Sequence, residues 1–425
     1  MPQNHIPENE QGIYTQLSAI RTYLSQLKKD RSKFIEKNDI YAKYEEVLRI
    51  LNELTALRGT TTQSVNRVDA IFDDVCQLLS LCFVTAGLVN TAPATYASLC
   101  TVHRLLEHLN ESGIYTVHDL APIKTRLDDI RQIVMGSQRD SEHLHEENAL
   151  LHKKLRLCEA EFAAVERQTH KIPAGLKQTF GSLVELRQCL YSLASTEKPD
   201  KDRLAPLVQR LSEIEATRDD SGKFVSEDGG EASEAVMNGL LDDCHNLIDD
   251  MAIHNNTIDP QLQTDCARLV AIKTSLENLL VTRRWTLRET DLYYYQKQLQ
   301  EIEEERAKKS KTIQGHAIIL YLLRRCYAII YILLESSEPV SEALQPLHNQ
   351  LSTVRRCLLE VKRMGGISST RELYPYQMKL ASLDNLRVDG KFMVKGQIPE
   401  GQGTLIALLS ECYEVCDEMK VELEE

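Results

Sequence analysis

The chain has 425 residues, 63 of them acidic and 50 basic, for a net charge of −13. Glycine (18) and proline (12) are scarce, aromatic residues make up 6% and hydrophobic residues 42%, a composition that favours helices over sheets and excludes wholesale disorder. The acidic balance argues against nucleic acid or an anionic membrane surface as the main partner, because both need basic surface.

The opening stretch, MPQNHIPENEQ, has no charged-then-apolar pattern, so no secretory leader is expected there. Apolar residues then recur at three- and four-residue steps near 12–32, 39–58, 64–88 and 95–110, which predicts amphipathic helices. Two long helical stretches are expected over 119–170 and 259–309. Shorter helices are expected near 174–195, 201–217, 234–253, 314–335, 340–363, 368–387 and 403–424. Only Lys391–Lys395 looks like a strand, and five residues do not make a sheet. The expected fold class is all-α: an elongated array of antiparallel helical hairpins or bundles with two long helices. Breaks in composition suggest an N-terminal helical region (1–92), a first set of repeats (93–218), an acidic flexible loop (219–233) and C-terminal repeats (234–425).

Two apolar runs invite comparison with membrane spans. The strongly apolar part of 75–102, Leu78 to Val89, falls short of the roughly 20 residues a spanning helix needs. The run from Ile313 to Leu334 carries Arg324 and Arg325 at its middle, each costing about 3 kcal/mol at a bilayer centre. Both predict buried core helices. The eleven cysteines form no CxxC pair and mostly sit in apolar helical frames, which predicts reduced, buried thiols.

Internal repetition is the most informative feature. The string Leu120-Ala-Pro-Ile-x3-Leu127-x2-Ile130 returns as Leu204-Ala-Pro-Leu-x3-Leu211-x2-Ile214 and as Leu344-Gln-Pro-Leu-x3-Leu351-x2-Val354. Leu-Leu-x2-Cys occurs at Leu240–Cys244, Leu322–Cys326 and Leu408–Cys412. Leu-Tyr-x-Tyr-Gln-x2-Leu occurs at Leu292–Leu299 and Leu373–Leu380. Gly-Lys-Phe occurs at Gly222 and Gly390. These spacings predict repeats of about 84 residues, each proline opening a helix packed antiparallel to the one before it. The paired Gly-Lys-Phe loops are read as structural, with Gly222 and Gly390 ending helices and Phe224 and Phe392 filling the gap beneath the next helix. Their functional alternative makes Lys223 and Lys391 ligands for an acidic partner or a phosphate.

No phosphate-binding loop, HExxH or GxSxG motif occurs, so no catalytic residue, cofactor or metal site is expected. Gly401-Gln-Gly403 reads as a helix entry. The stretch holding His143, His145, Glu146, Glu147 and His152 could present metal ligands, but reads more simply as the solvated face of a coiled coil. Arg283-Arg284-Trp285-Thr286 matches the preference of basophilic kinases, and Ser310 follows Arg306-Ala-Lys-Lys, making Thr286 and Ser310 possible phosphosites. The simpler reading is a helix face holding Arg283, Arg284 and Arg288 against nearby acids. Tyr293, Tyr294 and Tyr295 read as core and groove residues.

The run Val388-Asp-Gly-Lys-Phe-Met-Val-Lys-Gly-Gln-Ile-Pro-Glu-Gly-Gln-Gly-Thr, the helix that follows it (Leu405–Met419) and the Leu373-Tyr-Pro-Tyr-Gln string resemble a fungal family, domain of unknown function 2408, also called uncharacterised protein family 0662. The resemblance extends through most of the chain, and its motifs are packing and loop motifs. It implies a fungal protein of cytoplasm and nucleus and brings no catalytic residues. Two function classes follow. A non-enzymatic helical scaffold or adaptor would bind other proteins through shallow grooves and exposed apolar patches. An enzyme or small-ligand binder would instead hold a deep pocket of convergent polar groups between helices. The absence of a catalytic motif favours the scaffold.

Overall fold

The computed structural model describes residues 6–59, 66–136, 144–169, 172–195, 201–218, 224, 231–253, 258–309 and 313–424. They form fifteen α-helices and one two-stranded hairpin, the all-α architecture the composition predicts. The helices fall into five consecutive groups of three. The first holds α1 (Gln11–Lys29), α2 (Lys37–Arg58) and α3 (Arg67–Thr85); the second α4 (Thr95–Ser112), α5 (Val117–Gly136) and α6 (Leu144–Thr169). The third holds α7 (Lys177–Ala194), α8 (Lys201–Glu215) and α9 (Glu231–Ile253); the fourth α10 (Pro260–Thr286), α11 (Leu292–Ala307) and α12 (His316–Glu335). The fifth holds α13 (Gln345–Arg363), α14 (Tyr374–Asp384) and α15 (Gln402–Glu424), with the strands β1 (Arg387–Val388) and β2 (Lys391–Phe392) between the last two helices.

Within each group the first and third helices pack together, and one pair of residues marks the contact. Leu17, Leu99, Leu183, Leu269 and Leu351 on the first helices are fully buried, 82 to 86 residues apart. On the third helices, Cys76, Cys158, Cys244, Cys326 and Cys412 recur at the same spacing, all buried. In three groups the thiol reaches the leucine carbonyl itself: Cys158 to Leu99 (3.5 Å), Cys326 to Leu269 (3.9 Å) and Cys412 to Leu351 (3.8 Å). A small, weakly polar thiol lets two helices approach where a larger side chain would hold them apart. The two helices run parallel, since Leu99 meets Cys158 while Asn110 meets Gln168. The middle helix runs the other way, as the pairs Lys124–Glu166 and Arg131–Glu159 between α5 and α6 show.

The repeat of about 84 residues is therefore present, but its unit is a three-helix group, and this corrects several expectations. Each of the two long stretches is two helices, α5 with α6 and α10 with α11, because hydrophobic periodicity does not register a reversal at a polar break. Pro122 and Pro206 lie inside α5 and α8 rather than opening them; only Pro346 stands in a first turn. Thr116, through its hydroxyl and carbonyl, caps the start of α5, and the Asp119 carboxylate answers at the Thr116 amide, so the chain is already helical before Pro122. Leu127, Leu211 and Leu351 are all buried. Leu127 and Leu211 occupy middle helices, whereas Leu351 occupies a first helix, so the third copy of that string is not equivalent to the other two.

Gly390 does not end a helix. With Asp389 it forms the two-residue turn between β1 and β2, both at positive φ (49° and 75°), as a tight hairpin turn requires. Phe392 is fully buried under the fifth group, where Gln402 clamps its backbone on both sides, accepting from its amide (2.9 Å) and donating to its carbonyl (2.8 Å). Phe224 is likewise buried, bridged to Arg218 as Phe392 is paired with Arg387. Gly222 and the rest of 219–230 lie outside the described residues.

The first four groups share one hydrophobic core and the fifth has its own. Helix α12 is long and apolar enough to cross a membrane, but two thirds of its most apolar window is buried, packed between α4 and α10. The groups are tied together where the segment 340–342 passes between Gly87 and Gly401. A Cβ on Gly87 would stand 2.6 Å from the Ser341 amide nitrogen, and one on Gly401 would stand 2.8 Å from Val340 Cα. Beside this junction Arg288, 2% exposed, pairs with Glu342 (2.8 Å) and donates to the carbonyls of Lys28 (3.0 Å) and Asp30 (3.1 Å). Arg288 thus belongs to no helix face; its acid lies 54 residues away. Removing one partner of a buried ion pair strands the other, so Arg288→Ala should lower the unfolding free energy by about 3–5 kcal/mol in a urea titration.

Candidate functional site

Charge enters the shared core along one seam. Helix α4 crosses it, packed on α3, α6 and α12 and facing α11. At the positions four and three before the repeated cysteine, groups three to five carry Leu-Leu, whereas group one carries Phe72-Asp73 and group two Lys154-Leu155. Asp73 and Lys154 thus bring charge to positions that the repeat elsewhere gives to leucine, and they face each other at 3.6 Å. Asp73 also accepts hydrogen bonds from the Tyr96 hydroxyl (2.7 Å) and the Gln77 amide (2.5 Å). Burial alone would push its carboxyl up; Lys154, Tyr96 and Gln77 outweigh that and hold it below the usual aspartate range. Its neighbour Asp74 goes the other way, burial raising it despite contacts from Lys297 and Arg21.

Asp73 and Lys154 line a polar cavity of about 470 Å³ with His103, Arg104, Gln296 and Tyr327. Gln296 is buried there, its amide donating to Thr101 (3.3 Å) and its oxygen without a partner among the described residues. One turn further along α4, His108 meets Glu303 at 2.5 Å, while Arg104 and the Tyr327 hydroxyl lie 3.7 and 3.5 Å from the same carboxylate. Burial pushes Glu303 up, but the hydrogen bond from His108 and the nearby guanidiniums win, and it stays ionised below the usual glutamate range.

Beyond His108 a second cavity of about 420 Å³ opens between the end of α4, the middle of α7 and the start of α12. Its charged lining includes Glu111, Arg187, His316 and Arg324. Glu111 is held by Arg306 through two hydrogen bonds (3.2 and 2.8 Å), and Arg187 pairs with Asp243 (2.8 Å). The seam can hold and orient a charged group. The thiol of Cys100 beside Asp73 is pushed well up by burial, away from the reactive thiolate.

The residues singled out from sequence lie elsewhere. Lys391 is exposed on the hairpin and Phe392 is core. Phe224 is buried, with the Arg218 guanidinium 5.1 Å from its ring centre. Lys223, Ser310, His143 and the side chains of Thr286, His145 and Glu146 lie outside the described residues. Tyr293 is buried and Tyr294 exposed. Nine cysteines are buried, whereas Cys189 and Cys357 are exposed. The seam itself was missed, although one signal for it existed: in the five-group register, a lone charge at an otherwise apolar position marks Asp73 and Lys154.

A family model described as a protein of unknown function, DUF2408, matches residues 169–289 and 337–425, within groups three to five. The chain belongs to this family. It is 46% identical to "Cu(2+) suppressing and bleomycin sensitive protein 1" of Saccharomyces cerevisiae, over 99% of this chain and 91% of the relative. It is 39% identical to "CUB1 family protein C30C2.08" of Schizosaccharomyces pombe, over 99% of this chain and 95% of the relative. No solved structure matches it.

The lowered Glu303 value carries a pH signature. A carboxylate whose folded pKa is depressed stabilises the fold above its unfolded value and loses that contribution as pH falls through the folded one. The difference in melting temperature between wild type and Glu303→Gln should be present at pH 7 and shrink below about pH 4, as read by thermal scans at stepped pH.

Proposed function

We propose that the protein is a non-enzymatic scaffold or adaptor of fungal cytoplasm and nucleus, and that it docks another protein on the outer face of its fifth group. The observation that carries this reading is a concentration of exposed apolar side chains there. Met364 is 77% and Tyr374 63% exposed, and Met378, Leu386 and Val388 of the same group are exposed too. A terminal group in a repeat array normally presents a polar outer face, and contiguous exposed apolar surface marks an interaction site. Tyr374 and Met378 stand one turn apart on α14, a spacing that suits an apolar helix face or strand on a partner. The name of the Saccharomyces cerevisiae relative speaks of copper and bleomycin and specifies no reaction. A second reading, capture of a small ligand between helices, is favoured by the two charged cavities beside α4.

The test is a double substitution, Tyr374→Glu with Met378→Glu. Both side chains are exposed, so stability should change by no more than about 0.5 kcal/mol. Affinity purification from a fungal extract, quantified by mass spectrometry, should recover a stoichiometric protein partner with the wild type and lose it with the variant. A wild-type protein that purifies as a monomer with no reproducible partner overturns the reading.

A further inference from the structure

The cavity at the end of α4 has an electrostatic imbalance. Of the basic side chains that line it, Arg187 is paired with Asp243, and the His108 ring is hydrogen-bonded to Glu303. Its acid, Glu111, is taken by Arg306, with the His316 ring 3.2 Å from that guanidinium and 4.0 Å from the carboxylate. Arg324 remains. It lines the cavity in the middle of the most apolar helix of the chain, with no ion pair or hydrogen bond among the described residues. The charges that face it are Asp119 at longer range, Arg187, which opposes it, and the Tyr321 hydroxyl. Burial works against its charge. Arg324 is partly withdrawn from water rather than fully buried, and an arginine in that setting with no counter-ion beside it is ready to take one from a ligand.

Two other features of the cavity favour an anion, and a third suits a ligand that also carries a hydroxyl. The N-terminal end of α12 opens onto it: Gly315 (φ 93°), His316 and Ala317 line the wall, and no side chain caps the first turn. Uncapped helix N-termini carry partial positive charge and orphan amides. His108 is 3% exposed, and with Nε2 donating to Glu303 its Nδ1, without a partner among the described residues, is left to accept from a ligand hydroxyl. The Arg187 Nε is likewise buried and unpartnered. The rest of the lining is aromatic and aliphatic, with the Arg187 guanidinium 4.8 Å from the Tyr191 ring centre. Tyr191 and Tyr321 lie with ring centres 5.8 Å apart, and Val184, Ile114 and Leu320 complete it. The lining residues of α7 (Val184, Arg187, Gln188, Tyr191) recur at three- and four-residue steps, so a single helix face supplies both cation and apolar wall.

We propose that this cavity binds a phosphate monoester of a small organic molecule, its phosphate supplying the counter-charge that Arg324 lacks and its body lying against Tyr191 and Tyr321. A phosphate suits the donors better than a carboxylate, because guanidinium groups and a helix end converge on it from different elements and a phosphate offers three charged oxygens. The volume of about 420 Å³ takes a sugar phosphate or a mononucleotide and excludes a nucleic-acid strand. The proposal is independent of the docking face on the fifth group, which shares no residue with it.

The full-length protein, extensively dialysed, is titrated calorimetrically with AMP, glucose 6-phosphate, adenosine, glucose and inorganic phosphate. At least one of the two monoesters should bind one-to-one with Kd of about 1 mM or tighter, and its dephosphorylated counterpart should bind at least tenfold more weakly. Inorganic phosphate should bind more weakly than the monoester, since it leaves the tyrosine wall unused. Arg324→Leu should weaken the monoester at least tenfold while the protein stays folded, because the substitution removes a half-buried charge that has no ion pair among the described residues. Should that variant misfold, Gln188→Glu serves instead, placing a carboxylate in the cavity; it should weaken the monoester equally. The proposal fails if neither monoester binds, if the one that binds does so no better than its dephosphorylated form, or if the folded variants bind it as the wild type does.

Discussion

The contact between the Arg288 guanidinium and the Glu342 carboxylate closes the molecule on itself. The pair joins the turn after α10 to the start of α13, and Arg288 also takes up two carbonyls at the C-terminal end of α1, those of Lys28 and Asp30. Glu342 in turn accepts from the Ile35 amide (2.7 Å), and its own amide donates to the Thr85 carbonyl at the end of α3. Groups one, four and five meet at this point, which also explains the two glycines. The segment 340–342 can reach Glu342's position only if nothing larger than hydrogen stands at Gly87 and Gly401. A buried pair of this kind contributes less by its own attraction than by the cost of any arrangement that leaves one charge alone. It therefore selects one way of folding the array back on itself.

That closure creates the charged seam. A repeat whose groups touched only their immediate neighbours would leave α4 against α3 and α6 alone. Here α4 also packs on α12 of the fourth group, which brings Arg104 and His108 to Glu303 and Glu111 to Arg306. These three interactions connect residues 195 apart or more in the chain. In a low-dielectric setting they are worth keeping only as a set, because each unsatisfied member would be expensive. The polar cavity at Asp73 and the cationic one at Arg324 are the two ends of that set.

The repeat is a packing device first. Leucine on the first helix and cysteine on the third recur because that crossing needs one apolar knob and one small side chain. Burial pushes the thiols of Cys244 and Cys326 up to about 12, so they are spacers rather than reagents. Against this background the departures carry the information. Asp73, Lys154 and Arg324 are charges in helices whose other groups are apolar or water-facing at those depths, and each lies on the wall of a cavity.

Helix content, the Leu-Leu-x2-Cys string, the pairing of Leu292–Leu299 with Leu373–Leu380, and the burial of Phe224 and Phe392 were all legible in the sequence. They depend on local periodicity and on the identity of single side chains, both of which act within a few residues. The assignment of the Leu344 string to a first helix rather than a middle one was not legible, because a proline-opened amphipathic helix has the same pattern in either role. Nor was the hairpin at Asp389-Gly390 read from the sequence; its strands are two residues long, below the length at which alternation can be seen. The partners of Arg288 and Asp73, and the lack of an ion pair at Arg324 among the described residues, were decided by the tertiary structure alone. Which charges face one another across a core is set by how helices cross, and that geometry depends on the whole set of packed side chains rather than on any one segment.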